Sequence, residues 1–191
     1  MKNKGFNLKG YQPPAGRFIF LFFSVLLLGV SPGGTASQQG KIAAFSELAP
    51  GLYRGGQPTE EGYRQLKSLG VKTILNFRNE KDEVEWEKKE AEQWGMNYIS
   101  LPWTIYGDSN HKVAEKFLEI TGDPTQRPLF MHCRRGVERT GVMSALYYIH
   151  YGGLSEEEAY RKAFRGFPMR WFWKPFVKQK FDFFKSGIRR K

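Results

Sequence analysis

Residues 128–141 read PLFMHCRRGVERTG, and this stretch decides the fold. The first five residues are mostly apolar and predict a short buried strand. Residues 140–151 are also mostly apolar and are followed by two glycines, which predicts a helix that ends there. The residues between them are polar or small. The stretch therefore predicts a strand, a tight loop and a helix in immediate succession.

The predicted loop has the features of a phosphate-binding site. It begins with Cys133, the one cysteine of the sequence. A loop wrapped between strand and helix can turn the N–H groups of residues 134–139 inward, as a cradle for three phosphate oxygens. The helix N-terminus adds its positive dipole. Because the same donors stabilise a thiolate, we expect Cys133 to be a nucleophile at neutral pH.

The side chains around Cys133 have separate predicted roles. Arg139 can hold two phosphate oxygens with its planar guanidinium, a geometry that lysine cannot reproduce. The Thr140 hydroxyl can donate to the sulfur and so help the thiolate to leave when water attacks the intermediate. His132 is predicted to support the loop by hydrogen bonding to its backbone. The predicted substrate-binding residues are the five between nucleophile and arginine: Arg134, Arg135, Gly136, Val137 and Glu138.

Two of these residues leave an alternative open. Arg134 and Arg135 together can raise the positive potential at the mouth of the site, which would favour substrates with more than one phosphate. Alternatively, one of them only pairs with an acidic neighbour.

The rest of the chain alternates predicted strands and helices. Strands are predicted over 51–56, 71–77 and 96–101, the first of them at an edge of the sheet. Helices are predicted over 58–69, 82–94, 111–120, from Ser155 onward as a capping box, and over 172–186. This order predicts an α/β fold with a mainly parallel central sheet flanked by helices. Ligands of such sheets bind at the carboxyl ends of strands, where Cys133 falls.

Several segments resemble one family. The pattern His132-Cys133-x5-Arg139-Thr140-Gly141 matches the signature of protein tyrosine and dual-specificity phosphatases. Residues 52–58, LYRGGQP, resemble the entry segment of small atypical dual-specificity phosphatases of bacteria, plants and fungi. Residues 71–78 resemble the second strand of those proteins, and residues 165–168 resemble a region near their C-terminus. The resemblance covers roughly residues 45 to 184. It implies a cysteine phosphatase fold and a two-step mechanism through phosphocysteine, with no metal or cofactor.

The general acid is less clearly marked. Larger tyrosine-specific members carry a Trp-Pro-Asp loop whose Asp protonates the leaving oxygen, and Asp108 stands near the corresponding place. Asp108 is therefore the predicted acid, although it precedes Cys133 by fewer residues than the resemblance implies. Alternatively, Asp108 only caps the helix that starts near His111. Asp123, in an Asp-Pro turn, and Glu138 are weaker candidates.

The first residues of the chain differ from the rest. Residues 1–36 combine a basic lead, an apolar run over 18–30 and small residues around Ala36, the order of a secretory signal. The apolar run is short for a bilayer span, and an uncleaved anchor is the alternative. We therefore expect an exported protein, periplasmic or extracellular, with a linker over 37–44 and a catalytic domain over 45–191.

The charge balance favours anionic partners. The formal net charge is +11, which suits phosphorylated proteins, phosphorylated small molecules or an anionic membrane surface. The C-terminal segment from Arg161 interleaves aromatic and basic residues. It is either a membrane-binding surface or an amphipathic helix with Phe172, Phe176 and Phe183 facing the core. No nucleic-acid module accompanies it, so we expect no nucleic-acid partner.

Two functions from different classes fit these observations. The first is a cysteine-dependent phosphatase acting on phosphotyrosine, phosphoserine or phosphothreonine, or on small molecules such as inositol phosphates. The second is a non-catalytic module that reuses the loop to bind phosphate or an anionic membrane. A sulfurtransferase also places a cysteine in a cradle loop, but Arg139-Thr140 at this spacing disfavours it.

Overall fold

A five-stranded sheet with the order β1-β2-β5-β3-β4 organises the domain. The computed structural model describes residues 42–188. The predicted signal or anchor segment over 1–36 therefore lies outside the described residues. The strands are β1 (Ser46–Ala49), β2 (Leu52–Gly55), β3 (Thr73–Asn76), β4 (Asn97–Ser100) and β5 (Leu129–His132). All neighbouring pairs are parallel except β1 and β2.

Six α-helices connect and cover the strands in the described part of the chain. They are α1 (Glu60–Ser68), α2 (Lys81–Gln93), α3 (His111–Gly122), α4 (Glu138–His150), α5 (Glu156–Phe164) and α6 (Lys174–Ser186). Short 3-10 turns over Pro124–Gln126 and Trp171–Trp173 precede β5 and α6. The predicted α/β architecture with a mainly parallel sheet is confirmed.

The hydrophobic core has two layers, one on each face of the sheet, because successive side chains of a strand point to opposite faces. Leu129 and Met131 of β5 pack with α3 to α6 on one face of the sheet. Phe130, between them, packs with residues of α1 and α2 on the other face. Successive side chains of a strand point to opposite faces, so a central strand covered on both sides is apolar throughout. This explains the unbroken apolar run before Cys133.

Local signals set the helix ends as predicted. Thr59 accepts a hydrogen bond from the Gly62 N–H at the start of α1. Ser155 and Glu158 form the predicted capping box of α5. Gly70 and Gly95 follow α1 and α2 with φ of 71° and 70°, a conformation that glycine adopts without the strain a Cβ would add.

The N-terminal edge of the sheet differs from the prediction. The strand β2 is not at the edge, because β1 pairs with it on its outer side. Ile42, placed by prediction in the 37–44 linker, is buried with Tyr63 and Phe130 in the core. The Ala43 carbonyl accepts a hydrogen bond from the Gly56 N–H at 2.7 Å. The packed domain therefore includes the last residues of the predicted linker.

Within residues 42–188, the helices are too short or too polar to cross a membrane.

Candidate active site

The site lies at the carboxyl end of the central strand. The strand β5 ends at His132 and α4 begins at Glu138, so the loop of 133–137 joins them directly. Cys133 is 2% exposed. The strands β2 and β3 flank β5, and both end level with His132 in the register of the sheet. The backbone beyond these two strands can therefore contact the loop from both sides.

Three carbonyl groups of the loop accept hydrogen bonds from donors outside it. The Arg134 carbonyl accepts from the Gln57 N–H at 3.1 Å, and the Val137 carbonyl accepts from the Gly141 N–H at 2.8 Å. The Gly136 carbonyl accepts from the Arg54 guanidinium at 2.6 Å. In a trans peptide the N–H points opposite to the C=O. The next N–H groups in these peptides therefore point away from those outer donors.

The N–H groups of residues 134–137 have no acceptor among residues 42–188. Buried backbone donors are almost always paired, so a run of free donors beside a cysteine indicates an anion site. They adjoin the N-terminus of α4, whose first-turn N–H groups carry partial positive charge. Loop and helix together can bind several oxygens of one phosphate group.

Gly136 lets two glycine turns meet. Its φ is 74°, and a Cβ there would lie 2.4 Å from the Gly55 carbonyl carbon and 2.5 Å from the Gly56 nitrogen. On the other side, a Cβ at Gly56 would lie 3.2 Å from the Arg134 oxygen. The loop and the turn after β2 therefore pack backbone to backbone.

Arg54 is a buried cation beneath the loop, and the sequence analysis gave it no role. It is 1% exposed and donates to the Ala163 carbonyl at 2.7 Å as well as to Gly136. Its guanidinium lies 4.3 Å from the centre of the Phe167 ring. Burial lowers the pKa of Arg54 to about 10, against the opposing attraction of Cys133. The guanidinium therefore stays charged at neutral pH and places a positive charge close to Cys133.

Cys133 and Arg139 line one cleft of about 480 Å³. The lining residues are Glu80, Ile105, Cys133, Arg134, Arg135, Glu138, Arg139, Arg170 and Trp173. Gly136, Val137 and Thr140 are buried behind this lining. The structure thus brings nucleophile and predicted phosphate-binding arginine to the same space.

Arg139 is fixed on the far wall of the cleft. Its Nη1 donates to the Phe77 carbonyl at 3.1 Å and to Asn79 Oδ1 at 3.0 Å. Its Nη2 lies 3.8 Å from Glu80 Oε1. Desolvation alone would raise the pKa of Glu80, but a backbone hydrogen bond and the charges of Arg139 and Arg78 hold it below its usual value. Glu80 is thus an anion paired with the two arginines.

Thr140 lies in the first turn of α4, directly after Arg139. It is fully buried, and its Oγ1 has no hydrogen-bond partner among the described residues. An unpaired buried hydroxyl costs free energy, and the role of Thr140 as a donor to the sulfur stays a prediction.

His132 lies at the start of the loop, and its predicted role in supporting the loop stays a prediction. Its Nδ1 lies 3.4 Å from the Cys133 carbonyl oxygen. Its Nε2 lies 2.9 Å from Glu87 Oε1, outside hydrogen-bond alignment. Both side chains are fully buried. His132 thus lies between the loop and a buried carboxylate.

Glu87 joins the ends of the strands on the α1/α2 face. It accepts from Gln57 Nε2 at 2.6 Å, from the Tyr63 hydroxyl at 3.2 Å and from the Asn76 amide. Burial raises the pKa of Tyr63 above its usual value, and the Glu87 charge adds to the shift. A buried carboxylate is tolerated only when it is this well satisfied. Glu87 therefore fixes the backbone around His132.

The structure separates the two loop arginines. Arg135 pairs with Glu138, three residues later, so its charge is compensated as the second reading of the sequence allowed. Arg134 is exposed and forms no ion pair with a described residue. Arg170 also lines the cleft, is exposed and has no ion pair within residues 42–188. The free positive charge at the mouth thus comes from Arg134 and Arg170.

Asp108 is exposed and does not line the cleft with Cys133. It does not cap α3 either, because Asn110 accepts from the Lys112 N–H there. Its neighbours Gly107 and Ser109 both accept hydrogen bonds from Lys180 of α6. The role of Asp108 as general acid stays a prediction.

Of the two weaker candidates for the general acid, only Glu138 lines the cleft. Asp123 accepts from the Thr125 N–H and hydroxyl at 2.8 and 2.7 Å, which lowers its pKa and makes it a turn residue. Glu138 lines the cleft and is 7% exposed. The carboxylates of the cleft are therefore Glu80 and Glu138.

Among residues 42–188, no group of three or more His, Cys, Asp or Glu side chains is placed to hold a metal ion.

Three residues of the site were missed in the sequence, namely Arg54, Glu87 and Arg170. Arg54 lies two residues after Leu52 on β2, so the two side chains point to the same face of the sheet. The strand period therefore indicates an inward-facing charge. Glu87 lies on a helix with charged residues on all sides, so the sequence pattern does not distinguish it from the other glutamates of that helix. Arg170 follows the 165–168 segment, with no signal of its own.

Gly136→Ala is predicted to disrupt the site. Strain from a positive φ costs about 1 kcal/mol, and the clash with two backbone atoms adds to it. Urea unfolding should show a loss well above that of Gly153→Ala, which has φ of 63° and open space around a Cβ. Equal losses for both variants would contradict the close packing of loop and turn.

Arg54→Met is predicted to slow alkylation of Cys133 by iodoacetamide at neutral pH, because the buried cation that favours the thiolate is lost. It should also destabilise the fold by about 2–5 kcal/mol, since two carbonyls lose their donors. Arg54→Lys keeps the positive charge, so its alkylation rate should stay close to that of the wild type. Its free energy of unfolding should still fall, because lysine cannot donate to both carbonyls in the same geometry. If Arg54→Met and Arg54→Lys were alkylated at the same slowed rate, the charge would have no part in it.

Comparison with known proteins supports the same assignment of family. The family model described as "DSP-PTPase phosphatase fused to NAD+ Kinase" matches residues 27–169. A probable NAD kinase 2 of rice is 34% identical over 101 residues, which cover 51% of this chain and 10% of the rice protein. The dual specificity phosphatase TpbA of Pseudomonas aeruginosa is 28% identical over 119 residues, which cover 62% of this chain and 52% of TpbA. The chain thus spans about half of TpbA and a tenth of the rice protein.

Solved structures share the fold. A putative phosphatase (DUF442) of Shewanella putrefaciens superposes with a TM-score of 0.64 at 20% identity, covering 78% of this chain and 94% of that one. The cysteine phosphatase fold implied by the sequence is thereby confirmed. Since the family model covers most of the chain, the protein belongs to the family of dual-specificity-type tyrosine phosphatases that this model describes.

Proposed function

We propose that the chain is a cysteine-dependent phosphatase that hydrolyses phosphate monoesters through a phosphocysteine intermediate on Cys133. The observation that carries the proposal is the loop of 133–139. Its carbonyls are bound from outside, its N–H groups at 134–137 have no acceptor among the described residues, and Arg139 lines the same cleft as the sulfur. Membership of the phosphatase family supports it.

In the first step the Cys133 thiolate attacks phosphorus. The S–P bond forms as the bond from phosphorus to the leaving oxygen breaks, and a general acid supplies the proton that the leaving oxygen takes. The loop N–H groups and Arg139 hold the three equatorial oxygens, on which the transition state spreads its charge. Arg54 stabilises the thiolate before the attack.

In the second step water attacks the phosphocysteine. The O–P bond forms, the S–P bond breaks, and the proton of water passes to the conjugate base of the acid. The Thr140 hydroxyl donates to the sulfur that leaves as a thiolate. Inorganic phosphate is released and the enzyme returns to its starting state.

The substrate is proposed to carry a second anionic group beside the phosphate. Arg134 and Arg170 line the cleft without compensating ion pairs among the described residues, so they can bind such a group. Among proteins of the same fold, a TpbA variant has been solved with pTyr, and SIW14 of S. cerevisiae is described as a PP-IP phosphatase. Phosphotyrosine in acidic peptides and inositol phosphates are therefore the first substrates to test.

The second candidate function is a non-catalytic module that binds phosphate or an anionic membrane. One observation favours it: the predicted acid Asp108 does not line the cleft. The two functions differ in turnover alone, because both need the same cradle.

Cys133→Ser is predicted to abolish hydrolysis of 4-nitrophenyl phosphate while phosphate binding persists, because serine keeps the cradle but loses the nucleophile. Turnover is measured by release of nitrophenolate and binding by calorimetry with inorganic phosphate. Arg139→Lys, as a comparison, should weaken phosphate binding as well as turnover. Wild-type protein that binds phosphate but shows no turnover over a broad pH range would favour the non-catalytic module.

The general acid can be identified by comparing two substrates, because loss of the acid slows a substrate with a poor leaving group more than one with a good leaving group. Asp108→Asn should lower kcat/KM for phenyl phosphate by about 10²–10⁴-fold and much less for 4-nitrophenyl phosphate, whose leaving group needs little protonation. Glu138→Gln and Glu80→Gln serve as matched controls, because both carboxylates line the cleft. If one of these variants, and not Asp108→Asn, showed the leaving-group dependence, that carboxylate would be the acid.

A further inference from the structure

An exposed cluster of aromatic rings borders the cleft. We call it the aromatic surface and define it as Tyr106, Trp171, Phe172, Trp173 and Phe176. The Tyr106 ring lies 4.9 Å from the ring of Trp173 and 5.1 Å from that of Phe176. Trp171 is 80% exposed, the most exposed large apolar side chain in the described part of the chain. Four of the six exposed large apolar residues within 42–188 belong to this surface.

The rings of the aromatic surface do not belong to the core-facing side of the amphipathic helix α6. The core side of α6 consists of Val177, Phe181 and Phe184. Phe172 and Phe176, which the alternative reading of the sequence turned toward the core, are each 40% exposed. Contiguous exposed aromatic side chains mark a surface that binds another body.

Positive charge surrounds these rings. Residues 161–188 contain eight Lys and Arg but only one acidic residue, Asp182. Arg165, Arg170 and Lys174 are exposed and have no ion pair with a described residue. Aromatic residues interleaved with lysine and arginine are the composition that binds the interface of an anionic bilayer.

An apolar groove opens on the other side of the same segment. Its volume is about 710 Å³. It is lined by Tyr160, Phe164, Phe167, Pro168, Met169, Lys174, Pro175 and Lys178. The segment 165–175 thus presents exposed rings, part of an apolar groove and basic side chains together. A flat, charged protein partner would need few of these features, whereas acyl chains and anionic headgroups use all of them.

We propose that the aromatic surface, with Arg165 and Lys174, docks the domain onto an anionic membrane. Trp171 and Phe172 enter the interface between headgroups and acyl chains, and the cations bind the anionic headgroups. Arg170 and Trp173 line the cleft, so docking places its mouth beside the headgroups. Docking itself does not rest on the proposed catalytic function; only the inference that substrates are held at the membrane does.

Quenching of tryptophan fluorescence by brominated lipids tests the docking. All five tryptophans lie within residues 86–173, so the signal of the full chain reports on the folded domain and not on the apolar run over 18–30. Vesicles of brominated phosphatidylcholine with phosphatidylglycerol should quench the wild type, and added salt should weaken the effect. Vesicles of brominated phosphatidylcholine alone should quench little.

Phe172→Ser combined with Phe176→Ser keeps Trp171 as the reporter and should weaken apparent binding by about tenfold or more. Arg165→Gln with Lys174→Gln should reduce the preference for anionic vesicles. Trp86→Ser, which removes an exposed ring on α2, is the matched control and should bind as the wild type does. Circular dichroism checks that each variant is folded. Equal quenching by both kinds of vesicle, no quenching of the wild type, or quenching that survives the double phenylalanine variant would each overturn the proposal.

Discussion

The site depends on one constraint: the loop after β5 can present its N–H groups to an anion only if its carbonyl groups are bound elsewhere. Three donors from different parts of the chain meet this condition, namely the Gln57 N–H, the Arg54 guanidinium and the Gly141 N–H. An unpaired buried carbonyl would cost more than a hydrogen bond gains. The orientation of the cradle is therefore set from outside it, before any phosphate binds.

The two faces of the sheet supply supports of opposite charge. On the side of α4 and α5, Arg54 places a buried positive charge close to Cys133. On the side of α1 and α2, the Glu87 carboxylate accepts hydrogen bonds from the side chains of Gln57, Asn76 and Tyr63. These hydrogen bonds stabilise the buried carboxylate and hold the side chains at the strand ends together. The sheet thus keeps a cation near the nucleophile and a well-satisfied anion behind His132.

Features that depend on neighbours in sequence were predictable, and features that depend on distant contacts were not. The cap at Ser155 and the signature from Cys133 to Arg139 depend on residues within one or two turns, so spacing alone indicated them. The pairing of β1 with β2 depends on a short segment with no strong strand pattern. Arg54 contacts carbonyls 82 and 109 residues away, and no local pattern encodes such a distance.

The segment that bears Asp108 is held by contacts with the C-terminal part of the domain. Lys180 of α6 donates to the Gly107 carbonyl and to Ser109, and Tyr106 packs on Trp173 and Phe176. The same C-terminal segment contributes Arg170 to the cleft. The loop after Cys133 is held by the sheet and would bind any phosphate, whereas the mouth of the cleft and the position of Asp108 are both set by contacts with α6 and its lead segment. Under the proposed function, choice among phosphate monoesters would therefore depend on the C-terminal contacts more than on the loop.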